Sequence, residues 1–362
     1  MEEQKRNYGI DLLKIVLAIM VITIHINAGG TGKVLLNSHV FPWKLIVTVI
    51  TVLCYPAVNT YILITGYYTF QANKNFISIM KSLSLLWLSV IFFSLTGYGI
   101  TIVLTDTSFD IWKLIMHLFP IIRGVWWFYT VYFILMMLSP FINRMINCLS
   151  YKDLKLLLLI LIFSICIFPV FINWNDKIGS NYGYSLIWFI TLYITGACLK
   201  ITNVIRFEKN FIRISKCGYL LSSGIMVVWP QFFKLLGVNS TVEMYNSIFC
   251  YMQAIFLFVY FGNLKIQNKV SKIICTISNV SLSSYLFHCQ EDFEKILWNK
   301  MNPSSHANDI SILWVSLFLI LFIFITGCLM EFIRKKFCKK FKIDIYVINL
   351  VNKITLHLES FL

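Results

Sequence analysis

The chain has 362 residues, of which 58% are hydrophobic and only 13% are charged, and its formal net charge is +15. A soluble domain has about a quarter of its residues charged, so this composition excludes a soluble protein. The apolar residues form blocks of about 17 to 25, the length that lets a helix cross about 30 Å of hydrocarbon. Lipid offers the backbone no hydrogen-bond partners, so these blocks must be helices. The sequence predicts an all-α, polytopic transmembrane helix bundle.

The basic residues predict the orientation of this bundle. Most of the 31 Lys and Arg residues fall in the short segments between alternate apolar blocks. By the positive-inside rule, this bias predicts a multi-pass protein of the cell membrane with both termini in the cytoplasm. No basic patch with interleaved aromatic residues lies outside the blocks, so no nucleic-acid partner is expected.

About ten blocks are long enough to be spans. Pro56 and Pro230 fall inside two of them, as kinks that membrane helices tolerate. We place the spans at 10–29, 45–70, 83–104, 124–143, 154–173, 184–199, 217–236, 244–262, 273–290 and 310–333.

The chain divides into a transmembrane domain, 1–342, and a C-terminal amphipathic segment, 343–362. Apolar residues recur at helical spacing in this segment. We interpret it as an interfacial helix on the inner leaflet, with a helix packed on the bundle as an equal alternative.

The first span carries three ionisable residues, Asp11, Lys14 and His25. Charge within hydrocarbon is costly and usually points inward, and the absence of an A-x-A site argues against a signal peptide. Eleven residues separate Lys14 from His25, about three turns, so the two project from nearly one face about 16 Å apart. Asp11 lies one turn nearer the cytoplasm. Asp11 and Lys14 could instead extend to the headgroups, whereas His25 lies too deep and its alternative is a hydrogen-bonded core histidine.

The ninth span has a polar stripe at intervals of three and four residues, formed by Ser281, Ser284, Tyr285 and His288. These residues either contribute to a site or only hold helices together through hydrogen bonds. The first and ninth spans run in the same direction, so His25 and His288 should lie at similar depth. A neutral buried imidazole suits general-base chemistry on an alcohol, and a lysine suits an anionic donor.

Trp126 and Trp127 begin the fourth span at its outer end, where aromatic residues are common in any case. Arg123, just before them, either anchors the interface or binds an anionic group. The ten cysteines are scattered without the spacing of a metal site or a disulfide framework. No metal is therefore expected.

Five stretches together resemble the bacterial integral-membrane acyltransferase family three: GIDLLKIVLAIMVITIH, VNTYILITGYYTF, VWWFYTVYFILMMLSPFINRMI, LIWFITLYITGACL and SNVSLSSYLFH. They occur in the family's order, and the range from the first to the last, 9–288, covers most of the chain. Members are ten-helix proteins that move acyl groups, usually acetyl, from acyl-coenzyme A onto cell-surface sugars. One departure is Thr65, where a serine before Gly66 is usual.

The resemblance implies that His25 is the catalytic histidine, with Lys14 and Asp11 beside it on the first span. The family has an arginine where this chain has Lys14, and lysine lacks the bidentate fork. The family's basic pair after the second helix is represented only by Lys74 and Lys81. These two and Arg123 are weak candidates for binding the phosphates of coenzyme A.

The predicted function is transfer of an acyl group, acetyl or succinyl, from acyl-coenzyme A to a hydroxyl of a cell-surface polysaccharide or its lipid-linked precursor. Acetyl-coenzyme A would act as a donor substrate, with no permanently bound cofactor. The acceptor pocket would comprise His288, Tyr285, Ser284, Trp126 and Trp127. The alternative is a transporter, flippase or polymerase of envelope glycans that uses the buried charges as a pathway, although no inverted repeat of broken helices is visible.

Overall fold

The structure, a computed structural model, describes residues 6–28, 31–72, 75–105, 107–168, 179–235 and 244–359. Over these ranges the chain forms helices and no strands, which confirms the all-α prediction. The helices are α1 Tyr8–Asn27, α2 Val34–Asn37, α3 Trp43–Cys54, α4 Ala57–Ala72, α5 Phe76–Thr105, α6 Ile111–Met116, α7 Trp127–Cys148, α8 Tyr151–Ile162, α9 Leu186–Ile201, α10 Lys209–Leu235, α11 Ile248–Gly262, α12 Asn268–Ser281, α13 Ser283–His288, α14 Glu291–Met301, α15 Ser311–Lys340 and α16 Ile343–Glu359.

Among the described residues, six helical segments are long and apolar enough to cross a membrane: Tyr8–Asn27, Trp43–Phe70, Phe76–Thr105, Trp127–Cys148, Lys209–Pro230 and Ser311–Lys340. Helices α9 and α11 are apolar but shorter. The chain is therefore an integral membrane protein. The number of ten spans and the side of each terminus remain predictions.

The two predicted proline kinks differ. Pro56 separates α3 from α4, because a proline has no backbone N–H to continue the hydrogen-bond ladder. Pro230 lies inside α10, which continues past it to Leu235. The first proline thus ends a helix within the predicted 45–70 span, whereas the second is accommodated.

Helix α1 lies at the centre of the bundle, where it contacts α3, α4, α11, α12 and α15. Its side chains Leu13, Leu17 and Ile22 are completely buried. The ionisable residues of α1 are therefore surrounded by protein rather than by lipid, which is the condition for a polar site at membrane depth.

Glycines bring α4 and α9 into close contact. A side chain at Gly66 would collide with the backbone of Tyr193, and one at Gly196 would collide with the carbonyl of Leu63. Small residues let membrane helices approach closely enough to gain van der Waals contact. This contact fixes α4, which carries Tyr61 and Val58 to the site described below.

Helix α15 is largely exposed in its apolar half, with Leu317, Phe318 and Ile325 on its surface. Exposed apolar side chains of this kind are typical of a lipid-facing helix. The C-terminal helix α16 packs against α5 and α15 and also leaves Tyr346 and Leu350 exposed. An interfacial position for α16 remains a prediction.

Candidate active site

Two histidines from distant parts of the sequence meet inside the bundle. Helix α1 carries His25 in its last turn and α13 carries His288 at its end. Nδ1 of His25 lies 2.7 Å from Nε2 of His288. This contact agrees with the similar depth that the direction of the two spans predicts.

A backbone carbonyl sets the tautomers of this pair, which we assign from the hydrogen-bond network. Nδ1 of His288 lies 2.6 Å from the carbonyl oxygen of Ser284, and a carbonyl can only accept. A neutral His288 therefore donates from Nδ1 and accepts at Nε2, so His25 must donate from Nδ1. The lone pair on Nε2 of His25 is left free to act as a base.

Cys289 shares the same contact, because its Sγ lies 3.1 Å from Nδ1 of His25. In the assigned tautomer this nitrogen carries a proton, so it cannot take one from the thiol. The sulfur is at most a second, weak acceptor of that N–H. The arrangement favours His25 as a base for another substrate over Cys289 as a nucleophile.

The donor atoms of His25, His288 and Cys289 lie within 4.8 Å of one another, so a metal ion must be considered. Two nitrogens bound to one tetrahedral zinc at about 2.0–2.1 Å are about 3.3 Å apart. The observed separation of the two ring nitrogens is 2.7 Å, which is hydrogen-bond spacing. We therefore interpret the group as a hydrogen-bonded pair.

A small cavity of about 20 Å³ lies beside His25, and we name it the histidine cavity. This volume accommodates one group the size of a water molecule. Its lining is mostly apolar and aromatic and includes Val58, Trp127 and Tyr285, whose ring centroid is 5.9 Å from that of His25. A substrate group therefore has space next to the imidazole.

A second, larger cavity of about 690 Å³ extends towards the start of α1, and we name it the basic cavity. Its charged lining includes Lys14, Glu331, Arg334, Lys335 and Lys339. The basic cavity lies at the end of the bundle that is predicted to face the cytoplasm.

The two cavities adjoin at a constriction formed by Tyr61, Phe128 and Leu282, which line both. The hydroxyl of Tyr61 donates to the carbonyl of Lys14 at 2.9 Å, which holds that side chain in place. The rings of Tyr61 and Phe128 meet edge to face, with centroids 6.3 Å apart. A chain that entered through the basic cavity would pass these three side chains to reach His25.

Lys14 lines the basic cavity, with Asp11 as its ion-pair partner, and neither residue lies beside His25. Asp11 is buried and pairs with Arg6 at 2.5 Å, while Nζ of Lys14 lies 3.4 Å from Asp11 and its side chain is 35% exposed. Eleven residues of helix separate Lys14 from His25 by about 16 Å. Lys14 can therefore contact a donor but not the acyl group at His25.

The residues predicted for the acceptor pocket differ in what they contact. Tyr285 and Trp127 line the histidine cavity. Ser284 acts through its carbonyl on His288, and its hydroxyl donates to Ser281. Trp126 is buried, and its Nε1 has no hydrogen-bond partner among the described residues.

Of the three residues predicted to bind phosphate, the two that the structure describes, Lys81 and Arg123, do not line the basic cavity. Lys74 lies outside the described residues. Lys81 is half-buried near the start of α5 and is not part of the cavity lining, although its neighbour Ser82 is. Arg123 lies at the other end of the bundle, 2.7 Å from Glu291.

At that other end, His117 is buried between Ser94 at 2.9 Å and Asp292 at 3.0 Å. Burial lowers the pKa of His117, and the opposing effect of Asp292 and Glu291 does not restore it. His117 is therefore mainly neutral above its ordinary pKa. Because Glu291 is already paired with Arg123, the cluster has a structural explanation without a bound cation.

The buried pair of Glu331 and Arg334 was not predicted from the sequence. Their side chains are joined by two hydrogen bonds of 2.7 and 2.8 Å, and Ser89 donates to the same carboxylate. The available signal was the acidic Glu331 inside the predicted 310–333 span, three residues before the basic Arg334. The positive-inside rule uses the basic residues of this segment only to predict the orientation of the bundle.

His25 has a free lone pair and lines a small cavity that adjoins the larger, charged one inside a helix bundle. This arrangement suits a group-transfer enzyme that works within the membrane. The family model of acyltransferase family 3, described as an acyltransferase domain, matches residues 7–332. The chain belongs to this family and is an acyltransferase, so the resemblance found in the sequence is confirmed. No curated protein and no solved structure matches it significantly.

Proposed function

We propose that this protein transfers an acyl group from acyl-coenzyme A to a hydroxyl of a cell-surface polysaccharide or its lipid-linked precursor, in the cell membrane. The observation that carries the proposal is the free lone pair on Nε2 of His25, next to a cavity that adjoins the basic cavity.

In the proposed reaction, Nε2 of His25 takes the proton of the acceptor hydroxyl while the oxygen attacks the thioester carbonyl. The tetrahedral intermediate collapses, its C–S bond breaks, and the thiolate of coenzyme A takes the proton from the imidazolium. His288 accepts the hydrogen bond from Nδ1 of His25 throughout, which stabilises the imidazolium. The products are the acyl ester and free coenzyme A.

The donor approaches through the basic cavity, with its thioester arm between Tyr61, Phe128 and Leu282. Lys14 positions the arm or its anionic part at the entrance. The acceptor hydroxyl comes to the histidine cavity past Trp127 and Tyr285, because aromatic rings provide flat apolar surfaces on which a sugar can rest. Donor and acceptor thus meet at His25 from different directions.

We propose acetyl rather than succinyl as the acyl group. The histidine cavity of about 20 Å³ has room for a methyl group, and no lysine or arginine is among its described lining residues. A succinyl carboxylate would be buried there without a partner, which is strongly unfavourable. The acyl specificity therefore follows from size and charge together.

The test uses purified protein in nanodiscs with radiolabelled acetyl-coenzyme A and the host polysaccharide or its lipid-linked precursor. We expect a labelled ester that mild base removes, and a rate about 10²- to 10⁴-fold lower for His25→Ala, the usual contribution of a general base. His306→Ala is the matched control, because the side chain of this histidine bonds Ser311 in an outer turn and lines neither cavity. Proton NMR of the polysaccharide from a deletion strain identifies the modified sugar.

Unchanged acyl transfer by His25→Ala would refute the proposed mechanism. Glycan movement across the membrane without any new ester would favour the transporter alternative instead.

A further inference from the structure

We infer that Lys335 and Lys339, on one face of α15, bind the phosphates of the acyl donor at the mouth of the basic cavity. This inference rests on the proposed function, since it assigns the anionic end of the same donor. Neither residue belongs to the phosphate-binding candidates that the sequence indicated.

The charge of Arg334 is already neutralised. Its guanidinium donates twice to Glu331, both side chains are less than a tenth exposed, and Ser89 satisfies the carboxylate further. A buried, fully hydrogen-bonded pair of this kind provides a rigid base, not a free cation. It holds the last turns of α15 against the cavity.

The next two lysines on this face keep their charge available. Nζ of Lys335 donates to the backbone carbonyl of Asn279 at 2.7 Å, lies 3.8 Å from Glu331 and is 45% exposed. Lys339, one turn further on, is exposed, and its ammonium group makes no hydrogen bond or ion pair with any residue that the structure describes. Both line the basic cavity.

The lining as a whole is cationic. Its four basic side chains face two carboxylates, those of Glu331 and Asp344, so an excess of two positive charges remains. A polyanion such as the diphosphate and 3′-phosphate of a nucleotide donor would compensate this excess through charge-assisted hydrogen bonds.

The distance from Lys335 and Lys339 to the pair of histidines determines which kind of donor molecule fits. Gly327 packs directly against the backbone of Ser284, one helical turn below His288. Lys335 and Lys339 lie eight and twelve residues beyond Gly327, so their backbone lies about 18 to 24 Å from His288 along the bundle. A donor whose phosphates are joined to the acyl group by a long arm fits this spacing. Acetyl phosphate, whose acyl group is attached to its phosphate, does not.

The same helix supplies a matched control. Lys336 and Lys340 follow each of the two residues but point away from the cavity, where their amines lie over the rings of Phe332 and Phe341. Changing either pair to glutamine removes the same charge from the same turns of α15. Only one pair faces the basic cavity.

The experiment measures binding of coenzyme A, 3′-dephospho-coenzyme A and pantetheine to full-length protein in phosphatidylcholine nanodiscs. For K335Q/K339Q we expect the Kd of coenzyme A to rise at least tenfold, equivalent to about 1.4 kcal/mol, with pantetheine binding unchanged. K336Q/K340Q should bind all three as the wild type does. Size-exclusion profiles establish that both variants remain folded.

Equal losses in the two variants, or no loss in either, would overturn the assignment of Lys335 and Lys339 while leaving the proposed function intact. If the wild type does not bind coenzyme A at all, the donor in the proposed function fails as well. A lipid headgroup also carries a phosphate, so binding of phosphatidylglycerol to the wild type and both variants is measured in parallel. Loss of phosphatidylglycerol binding in K335Q/K339Q, with the Kd of coenzyme A unchanged, would assign the lysines to lipid and refute the inference.

Discussion

The two cavities differ in almost every physical property although they adjoin. The histidine cavity is small, about 20 Å³, and its lining is apolar apart from the imidazole and tyrosine hydroxyls. The basic cavity is about 690 Å³ and contains lysines, an arginine and carboxylates. The two cavities therefore separate the chemical step of the proposed reaction from the binding of its donor. A neutral base lies deep in the bundle, and the charges that would hold an anionic donor remain near its end.

This separation has an electrostatic reason. A charge is costly to bury at membrane depth unless it is paired. His25 and His288 avoid the cost because a buried imidazole stays neutral, and the hydrogen bonds of His25 to His288 and of His288 to Ser284 satisfy their buried N–H groups. The charged residues of the basic cavity are instead paired, as Glu331 and Arg334 are, or partly exposed. Substitutions in the two cavities should therefore affect different steps.

Among the substitutions that compare the two cavities, His288→Ala should have the largest effect on activity. Its loss frees Nδ1 of His25, so the base is no longer held in one tautomer, and we expect kcat to fall about 100-fold. The KM for the donor should stay within about twofold, because the basic cavity is unchanged. His288→Gln, whose side-chain oxygen can accept from His25, should recover part of kcat. Steady-state kinetics measures both constants. A parallel rise in KM would indicate a merely structural role.

A smaller effect is expected when the histidine cavity is filled. Val58→Phe introduces more volume than the cavity holds, so acetyl transfer should fall about tenfold while coenzyme A binding is retained. Val52→Phe, buried in a separate cluster with Met226 and Cys250, is the control for overpacking. Val58→Ala should increase the rate with propionyl-coenzyme A relative to acetyl-coenzyme A. The two donors compared under single-turnover conditions provide the measurement.

The smallest effect on activity, but a measurable one on stability, is expected at the ion pairs. Glu331→Gln leaves Arg334 buried without its partner and should lower the free energy of unfolding by about 3–5 kcal/mol. Glu291→Gln breaks the half-exposed pair with Arg123 and should cost about 0–1 kcal/mol. Chemical denaturation in detergent micelles compares the two. Equal costs would contradict the assignment of Glu331 and Arg334 as a buried structural pair.

The sequence by itself determined the class of this protein and part of its site. Composition and block length require helices in a membrane, because unpaired backbone groups are too costly in lipid. Helical periodicity placed Lys14 three turns from His25, and the shared direction of two spans placed His25 and His288 at similar depth. These inferences depend on local geometry, which a single segment of chain contains.

The tertiary structure decided what those residues can do. Only the contact between α1 and α13 sets the tautomer of His25, because the carbonyl of Ser284 acts on it through His288. Only the packing of α15 directs Lys335 into a cavity and Lys336 away from it, although the two are adjacent in sequence. Hydrogen-bond direction and the volume between helices depend on segments more than 200 residues apart, which periodicity along one helix does not specify.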